Sequence, residues 1–85
     1  MGVRFSKRFA KNYEKADKKI KTAWKKRLEI FLQDPFSPIL DNHALTGIYH
    51  GCRSIDITGD WRAIYYQIEN TAFFIALGTH SQLYK

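Results

Sequence analysis

The hydrophobic period of this chain changes once, between Asp34-Pro35 and Pro38. Before that point apolar residues recur every three to four positions, and after it they alternate with a period of two. A proline fixes its own φ, lacks an amide proton and drives the preceding residue out of helical conformation. Asp34-Pro35 therefore ends a helix, and Pro38 keeps the following stretch non-helical. A chain that is helical first and β afterwards folds as α+β, with the helices gathered on one side of an antiparallel sheet.

In the helical half, Ser6 is a good N-cap, because its hydroxyl can accept from the orphan amides of the first turn. From Lys7 to Ala16, Phe9 and Tyr13 lie four apart on one face. Asp17 can cap a second helix, where Ile20, Trp24, Leu28 and Phe31 recur at helical spacing and Lys18, Lys19, Lys21, Lys25 and Lys26 fill the remainder. These segments predict two basic amphipathic helices forming an antiparallel pair. Val3 to Phe5 can form a short strand ahead of them. After Pro38 the pattern predicts strands over Leu45 to Tyr49, Cys52 to Ile57, Trp61 to Ile68 and Ala72 to Leu77. The turns between them fall at His50-Gly51, Thr58-Gly59-Asp60 and Glu69-Asn70. Consecutive strands joined so tightly are antiparallel. The expectation is a two-helix antiparallel hairpin packed on a four- to five-stranded antiparallel sheet, one domain over residues 1–85. Phe73, Phe74 and Ile75 are apolar on both faces of their strand, so the side away from the helices is at least partly covered.

A domain of 85 residues buries only roughly 60% of its unfolded surface, so its stability margin is thin. A hydrophobic content of 45% with 15% aromatics still argues for a packed core rather than disorder. The single cysteine, Cys52, excludes an intrachain disulfide framework and a cysteine-based zinc site. The start of the sequence shows no apolar signal segment, and no run of about 18 apolar residues occurs. The chain reads as a soluble cytoplasmic protein with no membrane partner.

Charge is segregated along the sequence. Residues 1–30 hold eleven Lys/Arg and three Asp/Glu, 11 − 3 = +8, while residues 31–85 hold three and five, 3 − 5 = −2. Clustered positive charge is the footprint of a polyanion binder; a solvated helix surface or an acidic protein partner would leave the same mark. His43, His50 and His80 lack metal-ligand spacing, there is no Gly-x-Ser-x-Gly elbow, and there is no glycine-rich phosphate loop. No metal or other cofactor is expected. The chemistry-bearing residues left are His43, Arg53, Asp56, Asp60, Arg62, His80 and Tyr84, all in the β half. Two imidazoles and a guanidinium suit cleavage of an RNA phosphodiester. One imidazole takes the 2′-hydroxyl proton, the other protonates the leaving 5′-oxygen, and the arginine offsets the charge of the transition state. Plainer readings stand beside this one: His50 as a polar turn residue, Trp61 as a core aromatic, Asp60 as a turn acid, Arg53 in a structural ion pair, and Tyr84 as a packing residue.

The segments Asp41-Asn42-His43-Ala44-Leu45-Thr46-Gly47, Gly51-Cys52-Arg53-Ser54, Gly59-Asp60-Trp61-Arg62-Ala63-Ile64-Tyr65 and Leu77-Gly78-Thr79-His80-Ser81-Gln82-Leu83-Tyr84 together resemble the RelE/ParE toxin superfamily, nearest to its YafQ-like and RelE/StbE-type mRNA interferases. The resemblance runs the full length and implies a type II toxin of a bacterium or archaeon. It would be a ribosome-dependent endoribonuclease, neutralised by an acidic antitoxin encoded beside it. It implies acid and base roles for His43 and His80, an orienting role for Asp60, and phosphate contacts from Arg62 and Tyr84. Arg53 is a further candidate for phosphate, and Lys18, Lys21 and Lys25 for ribosomal RNA. The sequence departs from the YafQ-like pattern twice. Asp56 stands where that pattern has a strand histidine, and Ala76 where it has an arginine; Arg62, with Arg53, is expected to supply the missing charge. ParE-type gyrase poisons share the fold without the histidine set, which makes a non-catalytic toxin the alternative, and a degenerate low-activity toxin a third reading.

Overall fold

The computed structural model describes residues 1–84. Strand β1 (Gly2–Phe5) leads into helices α1 (Lys7–Lys15) and α2 (Lys18–Gln33). A 3-10 turn at Pro38–Leu40, the two-residue strand β2 (His43–Ala44) and a second 3-10 turn at Gly47–Tyr49 follow. Strands β3 (Arg53–Asp56), β4 (Trp61–Ile68) and β5 (Thr71–Thr79) complete the sheet, and a helical turn α3 (His80–Leu83) folds back over its end. Both helix starts are capped as expected. The Ser6 hydroxyl accepts from the Phe9 amide and the Asp17 carboxylate from the Ile20 amide, each at 3.0 Å.

The five strands lie in the order β1-β5-β4-β3-β2. The pairs β2/β3, β3/β4 and β4/β5 are antiparallel, but β1 runs parallel to β5, so the sheet is mixed rather than purely antiparallel. Short turns dictate antiparallel pairing only between consecutive strands, and β1 meets β5 with almost the whole chain between them. Its direction follows from the helix it launches. The Ser6 amide donates to the Phe74 carbonyl and its hydroxyl to the Ile75 carbonyl, both at 3.0 Å, which ties the start of α1 to the β5 edge. Beyond that point the side-chain oxygen of Asn12 accepts from the Leu77 amide at 3.0 Å, so α1 itself closes the part of β5 that β1 does not reach.

The strand expected over Leu45 to Tyr49 does not form. Gly47 takes φ = +68°, a left-handed conformation that few other residues adopt, and turns the chain into the 3-10 segment. That turn buries Tyr49 against the sheet, leaving β2 as a short edge strand before it. The last strand runs two residues past Leu77, to Thr79, before α3 begins.

Helices α1 and α2 cover one face of the sheet. Phe9, Trp24, Phe31, Ile55, Ala63, Tyr65, Phe74 and Leu77 belong to the core there. Phe74 is its hub: Trp24, Tyr65 and Phe31 approach it with ring centroids 5.0, 5.2 and 5.3 Å away. Trp24 and Phe31 meet it edge to face, and such aromatic pairs contribute about 0.5–1.5 kcal/mol beyond the area they bury. A smaller cluster of Tyr49, Ile64, Ala76 and Leu83 occupies the opposite face. No described helix is long and apolar enough to cross a membrane.

Candidate functional site

Strand register decides which candidate side chains share a face. His43 pairs with Ser54, Ser54 with Ile64, and Ile64 with Ala76, so these residues form one row across the face that the long helices leave open. The next row holds Asp56, Arg62 and Gly78. At the end of the sheet the His80 amide donates to the Asp60 carbonyl at 3.0 Å, which locks the start of α3 to the β3–β4 turn. His43, Asp56, Asp60, Arg62 and His80 thus surround one end of the open face. At about 4.8 Å per strand, β2 and β5 are separated by roughly 14 Å.

The fold-back of α3 depends on two local features. Gly78 has no side chain, and a Cβ there would stand 3.0 Å from the Gln82 side-chain oxygen and 3.4 Å from Leu83 Cδ2. Thr79 and Gln82 form a reciprocal capping box: the Thr79 hydroxyl accepts from the Gln82 amide, and the Gln82 side chain accepts from the Thr79 amide. This Thr-x-x-Gln signature is legible in the sequence and marks a helix start directly after the last strand. The turn brings Tyr84 back against His80, with ring centroids 4.7 Å apart, and against Tyr49 at 5.7 Å. Arg8 reaches round from α1 to donate from Nη2 to the Tyr49 hydroxyl at 3.1 Å. Arg8 and Tyr49 were not among the expected site residues, and no sequence spacing connects them; only the fold does.

The electrostatic centre is the pair Asp56 and Arg62. Arg62 Nε lies 2.9 Å from Asp56 Oδ1, with both side chains about a quarter exposed or less, at 20% and 25%. The approach lacks hydrogen-bond alignment, so Oδ1 is buried without a hydrogen-bond partner, as is the hydroxyl of Ser54 on the same strand face. Burial pushes the Asp56 carboxyl above the usual carboxylate value, outweighing the opposing pull of Arg62; Asp41 raises it further, and His43 and Arg27 lower it. Arg62 is also engaged elsewhere. Its Nη1 donates to the carbonyls of Thr58, Gly59 and Trp61 at 3.3, 3.1 and 3.4 Å, gripping the β3–β4 turn. Among the described residues its Nη2 has no hydrogen-bond or ion-pair partner.

His43 is exposed, and its Nδ1 lies 2.7 Å from the Asp41 carbonyl oxygen. A carbonyl can only accept, so Nδ1 carries a proton, and in the neutral ring Nε2 is the nitrogen with the lone pair. Arg53 pairs with Tyr65 and Ala44 and so faces the helix side. There its Nε donates to the Asn42 side-chain oxygen at 2.7 Å and its guanidinium lies 5.2 Å from the Phe36 ring. It anchors the 34–42 loop and does not join the other candidates, nor does it share in the charge expected at Ala76. Trp61 likewise packs toward the helix-side core. Ala76 is fully buried beneath the cluster of Tyr49, Ile64 and Leu83, so an arginine at that place would have to displace this packing. Lys18 joins Lys19, Lys26, Arg27 and Thr58 around an open groove of about 660 Å³ beside the β3–β4 turn. Lys21 stands over the Tyr13 ring at 5.5 Å, and Lys25 is exposed on α2. Among the described residues no three His, Cys, Asp or Glu side chains gather as a metal-binding group.

A family model of the bacterial toxin of type II toxin-antitoxin systems, YafQ, matches residues 1–85. The fold is similar to that of YafQ from E. coli strain BL21(DE3), with a TM-score of 0.84 and 22% identity over 98% of this chain and 97% of that one. It is similar to a chain of the E. coli DinJ-YafQ toxin-antitoxin complex, at TM-score 0.79 and 25% identity over 98% and 96%. It also resembles the YoeB/ParE toxin from Agrobacterium tumefaciens, at TM-score 0.79 and 19% identity over 94% and 99%. No curated protein matches the sequence.

Proposed function

This chain belongs to the YafQ family of bacterial toxins of type II toxin-antitoxin systems, and from that premise we propose that it is a ribosome-dependent endoribonuclease. The observation that carries the proposal is the convergence at one sheet end of Asp60 and Arg62 beside the β3–β4 turn, the His80 ring packed at a tilt against Tyr84, and His43 across the open face. A gap of roughly 14 Å between β2 and β5 suits two imidazoles reaching inward with one phosphodiester between them.

In the proposed reaction Nε2 of His43 takes the proton of a 2′-hydroxyl. The 2′-oxygen bonds to phosphorus, the bond to the 5′-oxygen breaks, and protonated His80 donates to that leaving oxygen. The products are a 2′,3′-cyclic phosphate and a 5′-hydroxyl. Arg62 Nη2 and the Tyr84 phenol hold the phosphate oxygens. The backbone carbonyl of Asp60, bonded to the His80 amide, fixes where the acid stands. The lysines of α2 and the groove beside the β3–β4 turn grip ribosomal RNA, and this contact weakens steeply with salt. The ribosome pre-orders the message, so free RNA is cut poorly. An acidic antitoxin is the neutralising partner, in keeping with the complex in which the E. coli relative was solved.

The test is primer extension on mRNA from a translating extract supplied with the purified chain. Cuts inside translated codons, absent without ribosomes and lost in His80→Ala, are expected. Intact mRNA together with accumulating gyrase-cleaved DNA would replace this reading with that of a ParE-type poison.

A further inference from the structure

Arg62 is the cationic candidate phosphate ligand at this end of the open face, yet most of its guanidinium is already committed. Nη1 is spent on the carbonyls of Thr58, Gly59 and Trp61. Nε faces Asp56 Oδ1 at 2.9 Å, in a pair shielded enough from water for the two charges largely to cancel. The carboxylate is not there to satisfy the strand, because Oδ1 accepts no hydrogen bond and the neighbouring Ser54 hydroxyl is unpartnered as well. A carboxylate that touches an arginine without aligned hydrogen bonds is a weak positioning device. It is, however, a strong competitor for any second anion, which must approach the same guanidinium past a like charge.

We propose that Asp56 is an electrostatic brake on Arg62: its carboxylate competes with a substrate phosphate for the guanidinium and lowers the affinity of the site for phosphodiesters. The proposal rests on the endoribonuclease reading for the identity of the anion, though not for the competition itself. Burial raises the Asp56 carboxyl above its ordinary range, so the brake weakens on acidification. The charged groups around Asp56 are Arg62 on β4, Asp41 and His43 on the β2 side, and Arg27 on α2, whose Nη1 also holds the Asp56 backbone carbonyl at 3.2 Å. The difference between variants at each pH, rather than the pH profile of one protein, is the informative quantity.

The experiment titrates a trinucleotide with 2′-deoxyribose at its middle position into wild type, Asp56→Asn, Asp56→Ser, Arg62→Ala and the Asp56→Asn/Arg62→Ala pair. The Arg62 Nε–H signal is followed by NMR where Arg62 is present, and backbone amide shifts are followed in every variant. Asp56→Asn and Asp56→Ser should bind about two- to fivefold more tightly than wild type, the range for a partly exposed ion pair. The advantage should shrink as pH falls and vanish when Arg62 is absent. Equal or weaker binding by both single variants, or a gain that persists without Arg62, overturns the proposal. If binding responds as expected while no variant cuts mRNA on ribosomes, the brake stands and the endoribonuclease reading falls. Cleavage by wild type with no gain in either Asp56 variant does the reverse.

Discussion

The two faces of one sheet are built from alternate residues of the same strands and have opposite characters. On the helix side, Ile55, Ala63, Tyr65, Phe74 and Leu77 interlock with the aromatic residues of α1 and α2. On the open side the next residues along, Ser54, Asp56, Arg62 and Gly78, leave the buried Ser54 hydroxyl without a hydrogen bond and hold Asp56 Oδ1 by an ion pair alone. Packing density repays the entropy of folding on the first face. The second retains unsatisfied polar atoms, which cost stability and are tolerated where they serve a ligand. Most of the packing thus lies on one parity of the strand positions, while the other divides between the small cluster of Tyr49, Ile64, Ala76 and Leu83 and the polar groups at the sheet end.

Substitutions can break that separation, beginning with the strongest. Phe74→Ala should cost about 3–5 kcal/mol in urea denaturation, enough to unfold much of so small a domain. His80→Ala should leave the urea midpoint almost unchanged while lowering mRNA cleavage about 10²–10⁴-fold; a large stability loss would show that the His80–Tyr84 contact belongs to packing instead. Ala76→Arg tests the boundary between packing and site on the open face. The residue is buried under Tyr49, Ile64 and Leu83, so the added chain should destabilise by more than about 2 kcal/mol and should not restore a phosphate contact. Improved cleavage with unchanged stability would mean that the cluster opens readily. Asn12→Ala should cost about 1–3 kcal/mol, because it strips the buried Leu77 amide of its acceptor.

The smallest effect concerns pH. The folded-state pKa of Asp56 lies above its unfolded value, so the native state holds that proton more tightly. The resulting stabilisation is present below the unfolded pKa and is lost as pH rises through the folded one. Melting temperatures of wild type should therefore fall relative to Asp56→Asn as pH is raised from the acid side through the carboxylate range. A relative rise would mean that the pull of Arg62 outweighs burial.

Much of this architecture is legible in local chemistry. Ser6, Asp17 and Asp34-Pro35 bound the two helices, and the period-two pattern places β4 over Trp61 to Ile68 as observed. Such features depend on residues within a turn or a strand of one another, which is where propensity and capping act. The Thr79-x-x-Gln82 box belongs to the same class, although the apolar run before it reads more loudly as a strand. The parallel pairing of β1 with β5 and the burial of Tyr49 answer to partners far away in sequence.

The amino-acid sequence by itself determined the α+β class, the segregated positive charge and the set of histidine, arginine, acid and tyrosine from which a site can be drawn. Which members of that set meet was decided only by tertiary structure. Register turned Arg53 to the helix side and Arg62 to the open side, and it set Asp56 against the guanidinium expected to receive a phosphate. Ala76 lost the role of an empty arginine place because Tyr49 and Leu83, distant in the chain, close over it. The physical reason is that side-chain identity is local, whereas facing direction, burial and charge pairing are properties of strands brought together by the whole fold.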